Sequence, residues 1–193
     1  MKITNLSLHS DQLYATLLPR LVGRVFHVTP MNVFEQIHAV GEIRANINGE
    51  LPTTFGSTNS FFRNRGCVSF FDYRSASPEQ IGDAIGKCSP YNLPSSDSPF
   101  GYESRIAFLF LSNTADDRLI PWTRWKEEQS LSEKIIPWVE AGYPGSVPIT
   151  LIEEVLCVTI EYPTDSIADA LRRLGAKPKL NLNNLRHRLK PVP

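Results

Sequence analysis

Long hydrophobic runs are missing from this sequence. Nowhere do the roughly 18 apolar residues that a membrane-spanning helix needs follow one another, and Met1-Lys2-Ile3-Thr4-Asn5-Leu6 lacks the apolar core of a secretory signal. The expectation is a cytoplasmic protein with no membrane partner. Charge of one sign is missing as well: twenty Lys and Arg offset twenty Asp and Glu, so no global field draws the chain toward nucleic acid or anionic lipid. Cysteine is sparse. Cys67, Cys88 and Cys157 are an odd number, far apart, with no Cys-x-x-Cys spacing and no histidine at ligand spacing. They read as free thiols in a reducing compartment, which argues against a disulfide framework and a zinc site; no metal is expected.

What is present suits one domain over 1–193, since an apolar fraction of 41% in 193 residues is enough for a single core. Leu13, Leu17, Leu18 and Leu21 recur at helical spacing behind Ser10 as N-cap, with Pro19 and Gly23 limiting the helix. Arg24 to Val28 reads as a strand, and Thr29 caps a helix that starts at Pro30 and stops at Gly41. Cys67 to Phe71 is an apolar strand closed by Asp72-Tyr73-Arg74, and Ser77-Pro78-Glu79-Gln80 opens a helix as a capping box. Arg105 to Leu111 and Val155 to Ile160 are the strongest buried-strand signals and belong in the middle of a sheet.

Weaker signals fill the rest. A short helix is expected within 121–129, a Pro- and Ser-rich loop over 89–101, and an amphipathic helix from Asp165 to Leu174. Residues 177–193 form a basic C-terminal tail with Lys177, Lys179, Arg186, Arg188 and Lys190, the one local surface suited to a nucleic-acid partner. Strands without strict βαβ alternation point to an α+β fold with two small sheets around a cleft.

Two segments far apart carry the candidate chemistry. Val25-Phe26-His27-Val28-Thr29-Pro30-Met31-Asn32 brings a histidine and a threonine to a strand end ahead of a helix, and Ile136-Pro137-Trp138-Val139-Glu140 is an apolar run interrupted by one acid. Between them, Ser60-Phe61-Phe62-Arg63-Asn64-Arg65-Gly66-Cys67-Val68-Ser69-Phe70 leads into a strand. The bland readings are a satisfied strand histidine at 27, Arg63 and Arg65 in solvent or salt bridges, and Glu140 paired with Lys134 or Arg124 at a sheet edge.

In this order the segments resemble the ADP-ribosyltransferase superfamily, in its DarT-like and RNA 2′-phosphotransferase-like branch. The resemblance implies split β-sheets around an NAD cleft with short flanking helices, and NAD as substrate. It implies that His27 orients the NAD ribose with Thr29 beside it, that Asn32 lies near the nicotinamide, and that Arg63 or Arg65 takes the diphosphate. Ser69 faces the ribose, Phe61, Phe62 or Phe70 stacks on the nicotinamide, and Glu140 is the catalytic acid, ahead of Glu153, Glu154 and Glu161. One departure is plain: no acid or Gln stands two residues before Glu140.

The function so implied is an NAD-dependent ADP-ribosyltransferase of the toxin or phage-defence kind, modifying a nucleic acid or a protein and answering to an antitoxin or immunity partner. The alternatives are an NAD glycohydrolase, removal of an RNA 2′-phosphate, or an inactive nucleotide- or partner-binding immunity or regulatory module of the same fold.

Overall fold

A computed structural model describes residues 1–51, 59–87 and 103–161. Cys88, the loop over 89–101, the helix expected from Asp165 to Leu174 and the basic tail lie outside the described residues. Within them the fold is α+β. The strands are β1 (Lys2–His9), β2 (Val25–Pro30), β3 (Glu42–Ile43), β4 (Cys67–Asp72), β5 (Glu103–Leu111), β6 (Ile120–Pro121), β7 (Glu140–Pro144), β8 (Val147–Pro148) and β9 (Ile152–Glu161). The α-helices are α1 (Leu13–Leu21), α2 (Met31–Val40), α3 (Phe61–Asn64), α4 (Pro78–Lys87) and α5 (Thr123–Glu127).

Seven strands form one sheet in the order β1-β9-β5-β2-β4-β7-β6, and β3 and β8 pair separately. The two apolar runs, β5 and β9, lie inside the sheet as their composition requires. The sheet is nearly cut in two at β2. That strand matches β5 from Phe26 to Pro30 but meets β4 only through Val25↔Asp72 and Phe26↔Phe71. Beyond Phe26 the β2–β4 ladder stops, so the two halves of the sheet part just where His27 begins.

Strand alternation sorts the side chains onto two faces. Phe26, Val28 and Phe71 project to the face packed by Leu13, Leu17 and Leu21 of α1 and by Ile81 and Ile85 of α4. Val25, Phe70, Leu109 and Tyr143 project to the other face, under Phe34 and Ile37 of α2. A smaller cluster of Phe61, Phe62 and Cys67 ties α3 to the near end of β4. Burying each such side chain contributes about 1.5–3 kcal/mol before chain entropy is subtracted, so both faces hold the sheet in place.

Several local expectations are met. Ser77 Oγ accepts the Gln80 N–H and Gln80 Oε1 accepts the Ser77 N–H, the reciprocal capping box. Gly41 closes α2 at φ 86°, a left-handed backbone that glycine adopts without steric cost. Arg74 grips both carboxylate oxygens of Asp72 and braces the end of β4.

Others are corrected. The first helix has Gln12, not Ser10, at its N-cap, and Pro19 lies inside it. Thr29 is still in β2, paired with Ala107, and Pro30 takes the N-cap of α2 without a side-chain bond. Residues 61–64 lead into β4 as a helical turn. Glu153 and Glu154 sit in β9, where Arg24 bonds both. Cys67 and Cys157 are buried free thiols. No helix among the described residues is long and apolar enough to cross a membrane.

Candidate active site

The parting of β2 from β4 leaves main-chain groups of β4 without a ladder partner, and side chains fill the gap. His27 Nδ1 lies 2.9 Å from the Ser69 carbonyl oxygen. A carbonyl only accepts, so Nδ1 carries the proton. Burial pushes the imidazole below its ordinary value, against the opposing pull of the Ser69 bond, which favours the neutral ring. Nε2 is then the lone-pair nitrogen, able to accept from a hydroxyl. The ring also meets Phe70 edge-on, with centroids 5.8 Å apart.

Ser69 reaches Glu140 with its side chain: the hydroxyl donates to Oε1 over 3.0 Å. Oε2 accepts the backbone N–H of Ile136 at 2.7 Å. Glu140 is 8% exposed, and burial raises its pKa despite those two donors. Neither Lys134 nor Arg124 bonds this carboxylate; Arg124 reaches Glu127 instead. A buried acid without a cation is costly to ionise, and such groups are concentrated at functional sites.

β7 begins at Glu140 itself, and the segment before it is a turn. It is fastened at four points: the Ile136 N–H to Glu140 Oε2, the Glu140 N–H to the Ile136 carbonyl, the Asp72 N–H to the Val139 carbonyl, and the Trp138 ring against Trp122. Trp138 adopts φ 74°, a backbone conformation that costs a side-chain-bearing residue about 1–2 kcal/mol. Strain of this kind persists only where surrounding contacts over-determine it.

Register decides which candidates share a face. His27 and Thr29 project with Phe70 toward the α2 side, where Asn32 stands in the first turn of α2. Ser69, Gly142 and Glu140 project to the opposite face, with Phe62 packed on Gly142. His27 and Glu140 therefore meet through Ser69, carbonyl on one side and hydroxyl on the other, rather than across an open cleft. A groove lined by Asn5, Met31, Arg105, Cys157 and Thr159 lies on the Thr29 face, across β5, β9 and β1, and includes none of the candidate residues.

The two arginines part company. Arg63 donates Nε to the Asn46 carbonyl and makes no ion pair among the described residues. Arg65 bonds Glu128, Glu133, Ser130 and the Phe61 carbonyl with its three nitrogens, and it lies 3.5 Å over the Phe61 ring. Its donors are used up within the protein. Phe61, Phe62 and Phe70 are core residues with at most 1% exposure, so none offers a face to a ligand. The Ile136 amide, Gly142 and the Trp122–Trp138 pair were not expected; the glycine between two strand residues was the one signal available.

No family model matches the chain, and no curated protein does. Among solved structures the chain is similar to Thermus sp. 2.9 DarT in complex with carba-NAD+, at 13% identity and a TM-score of 0.37, covering 82% of this chain and 93% of that one. That overlap of chain paths is loose, and the chemistry of the site rests on the residues themselves.

Proposed function

We propose that the protein is an NAD-dependent ADP-ribosyltransferase. One observation supports this above the rest: a buried acid, Glu140, held by Ser69 and linked through it to His27 at the parting of the sheet. Cleavage between ribose and nicotinamide builds positive charge on the sugar, as in glycoside hydrolysis. A carboxylate held in a site of low polarity stabilises that charge more strongly than one in water. The acceptors suit the substrate in this reading: His27 Nε2 takes a ribose hydroxyl on the α2 face, where Thr29 and Asn32 extend the polar edge, and Glu140 approaches the sugar from the other side of Ser69.

Arg63 is the arginine for the diphosphate in this reading, since among the described residues its guanidinium has one protein partner where Arg65 has several. The fork of a guanidinium matches phosphate oxygens directionally. The acceptor is a nucleic acid or a protein, in a toxin or phage-defence setting. Incubation with labelled NAD and either DNA, RNA or cell protein tests this: label transferred to one class by the wild type identifies the acceptor, and label on none of them contradicts transfer.

A second reading has an observation of its own. Both Glu140 oxygens are engaged, and His27 leaves the sheet on the opposite face, which suits a module of this fold that binds without turnover. Such a module retains binding of NAD in Glu140→Gln and releases no nicotinamide.

A further inference from the structure

Arg65 sits at the start of a run of contacts that leads to Glu140 without touching it. The chain from Trp125 to Lys134 winds around its guanidinium: Nε donates to Glu128 at 2.9 Å, Nη1 to Glu133 at 2.8 Å, and Nη2 to Ser130 Oγ at 3.1 Å. Gln129, inside that winding, adopts φ 52°. Asn64 Nδ2 donates to the other Glu133 oxygen at 2.7 Å, and Trp125 Nε1 to the Glu133 carbonyl at 3.0 Å. Against the cost of burial, Asn64 and Arg65 hold Glu133 below the usual carboxylate range.

From Glu133 the chain reaches the acid within a few residues. The Lys134 N–H donates to the Asn59 carbonyl and the Phe61 N–H to the Lys134 carbonyl, which aligns 133–135 beside α3. Two residues on, the Ile136 N–H meets Glu140 Oε2. The anchored helix also lays Phe62 on Gly142, two residues from Glu140 on the same face. One guanidinium thus lies at the head of the contacts that lead to both the amide that holds the acid and the ring beside it.

We propose that Arg65 is a positioning residue for Glu140, setting the Ile136 amide against Oε2 by locking residues 125–134 to α3. This rests on the ADP-ribosyltransferase reading for its kinetic consequence but not for its structural one. Lysine cannot replace Arg65, because a point charge has no fork to span Glu128, Glu133 and Ser130 together. A displaced Ile136 amide leaves Glu140 with Ser69 alone. The groups facing the carboxylate are the Ser69 hydroxyl from β4 and the Ile136 N–H from its own turn, with His27 beyond the Ser69 carbonyl. Loss of one donor therefore raises the pH needed to ionise it.

The test is nicotinamide release from NAD by the wild-type 193-residue chain, Arg65→Lys and Arg65→Ala across pH, with amide hydrogen exchange on the same proteins. The expected result is a kcat lower by roughly ten- to a hundred-fold with KM for NAD unchanged. It includes an acidic limb moved to higher pH, and an Ile136 amide that exchanges faster in both variants. A raised KM with kcat unchanged assigns Arg65 to the substrate and overturns the proposal, as does unaltered Ile136 exchange. Where Arg65→Ala does not fold, Glu133→Gln weakens one arm of the lock and is read the same way. A wild type that releases no nicotinamide counts against the enzyme reading, and the exchange measurement still decides the role of Arg65.

Discussion

The Ser69 hydroxyl donates to Glu140 Oε1 over 3.0 Å, while the Ser69 carbonyl accepts from His27 Nδ1. Ser69→Ala removes the first of these and leaves the second. A hydrogen bond to a charged group contributes about 1.5–3 kcal/mol, and a buried acid that loses a donor is harder to ionise. The expected outcome is a lower Tm and an acidic limb of nicotinamide release at higher pH. Release profiles of wild type and Ser69→Ala that superimpose contradict the pairing.

Glu140→Gln is expected to raise stability near neutral pH. The folded pKa of Glu140 lies above its ordinary 4.5, so between that value and the folded one the folded state binds more protons, and stability falls as pH rises. Above the window the loss is complete and constant. Glutamine never ionises, yet its amide still accepts from Ile136 and meets Ser69. Thermal melts check this: the variant exceeds the wild type at about pH 7, and the gap closes once pH falls below the unfolded value near 4.5.

His27 has the opposite sign. Its folded pKa lies below the ordinary 6.5, so as pH falls through 6.5 the unfolded chain takes up a proton that the folded ring resists, and stability declines until the folded pKa is passed. His27→Gln lacks that proton. It is expected to lose less stability than the wild type on going from about pH 7 to about pH 5.5 in denaturant titrations.

Gly142→Ala tests how tightly α3 is seated. A Cβ there stands 2.1 Å from Phe62 Cδ1, and Phe62 is fully buried, so the ring has nowhere to go. Overpacking of this kind costs about 1–3 kcal/mol. Gly82→Ala in α4 meets nothing within 4 Å and is expected to stabilise by about 0.5–1 kcal/mol. Melting curves of the pair separate a specific contact from a general effect of alanine.

Legibility from residues alone divides along a physical line. β5 and β9 were legible because strands buried on both faces are apolar throughout, and the capping box and Gly41 because their chemistry is local. β1 was not: as an edge strand it buries Leu8 and leaves most of its other residues exposed or half-exposed. The turn before Glu140 was hidden because an aromatic residue in left-handed backbone has no sequence signal. His27, Ser69 and Glu140 were each visible as candidates, but their assembly through Ser69 depends on where one ladder stops. Arg65 looks like a ligand-binding residue in sequence because its partners stand 63 and 68 residues away, a separation that composition cannot bridge.

The most direct measurement of the central claim is nicotinamide release from NAD by the purified protein and by Glu140→Gln, with DNA, RNA and cell extract supplied in turn. The account predicts release by the wild type and its loss in the variant, while the variant remains folded and at least as stable. Release that persists undiminished in Glu140→Gln, or no release by the wild type with any acceptor, would contradict it.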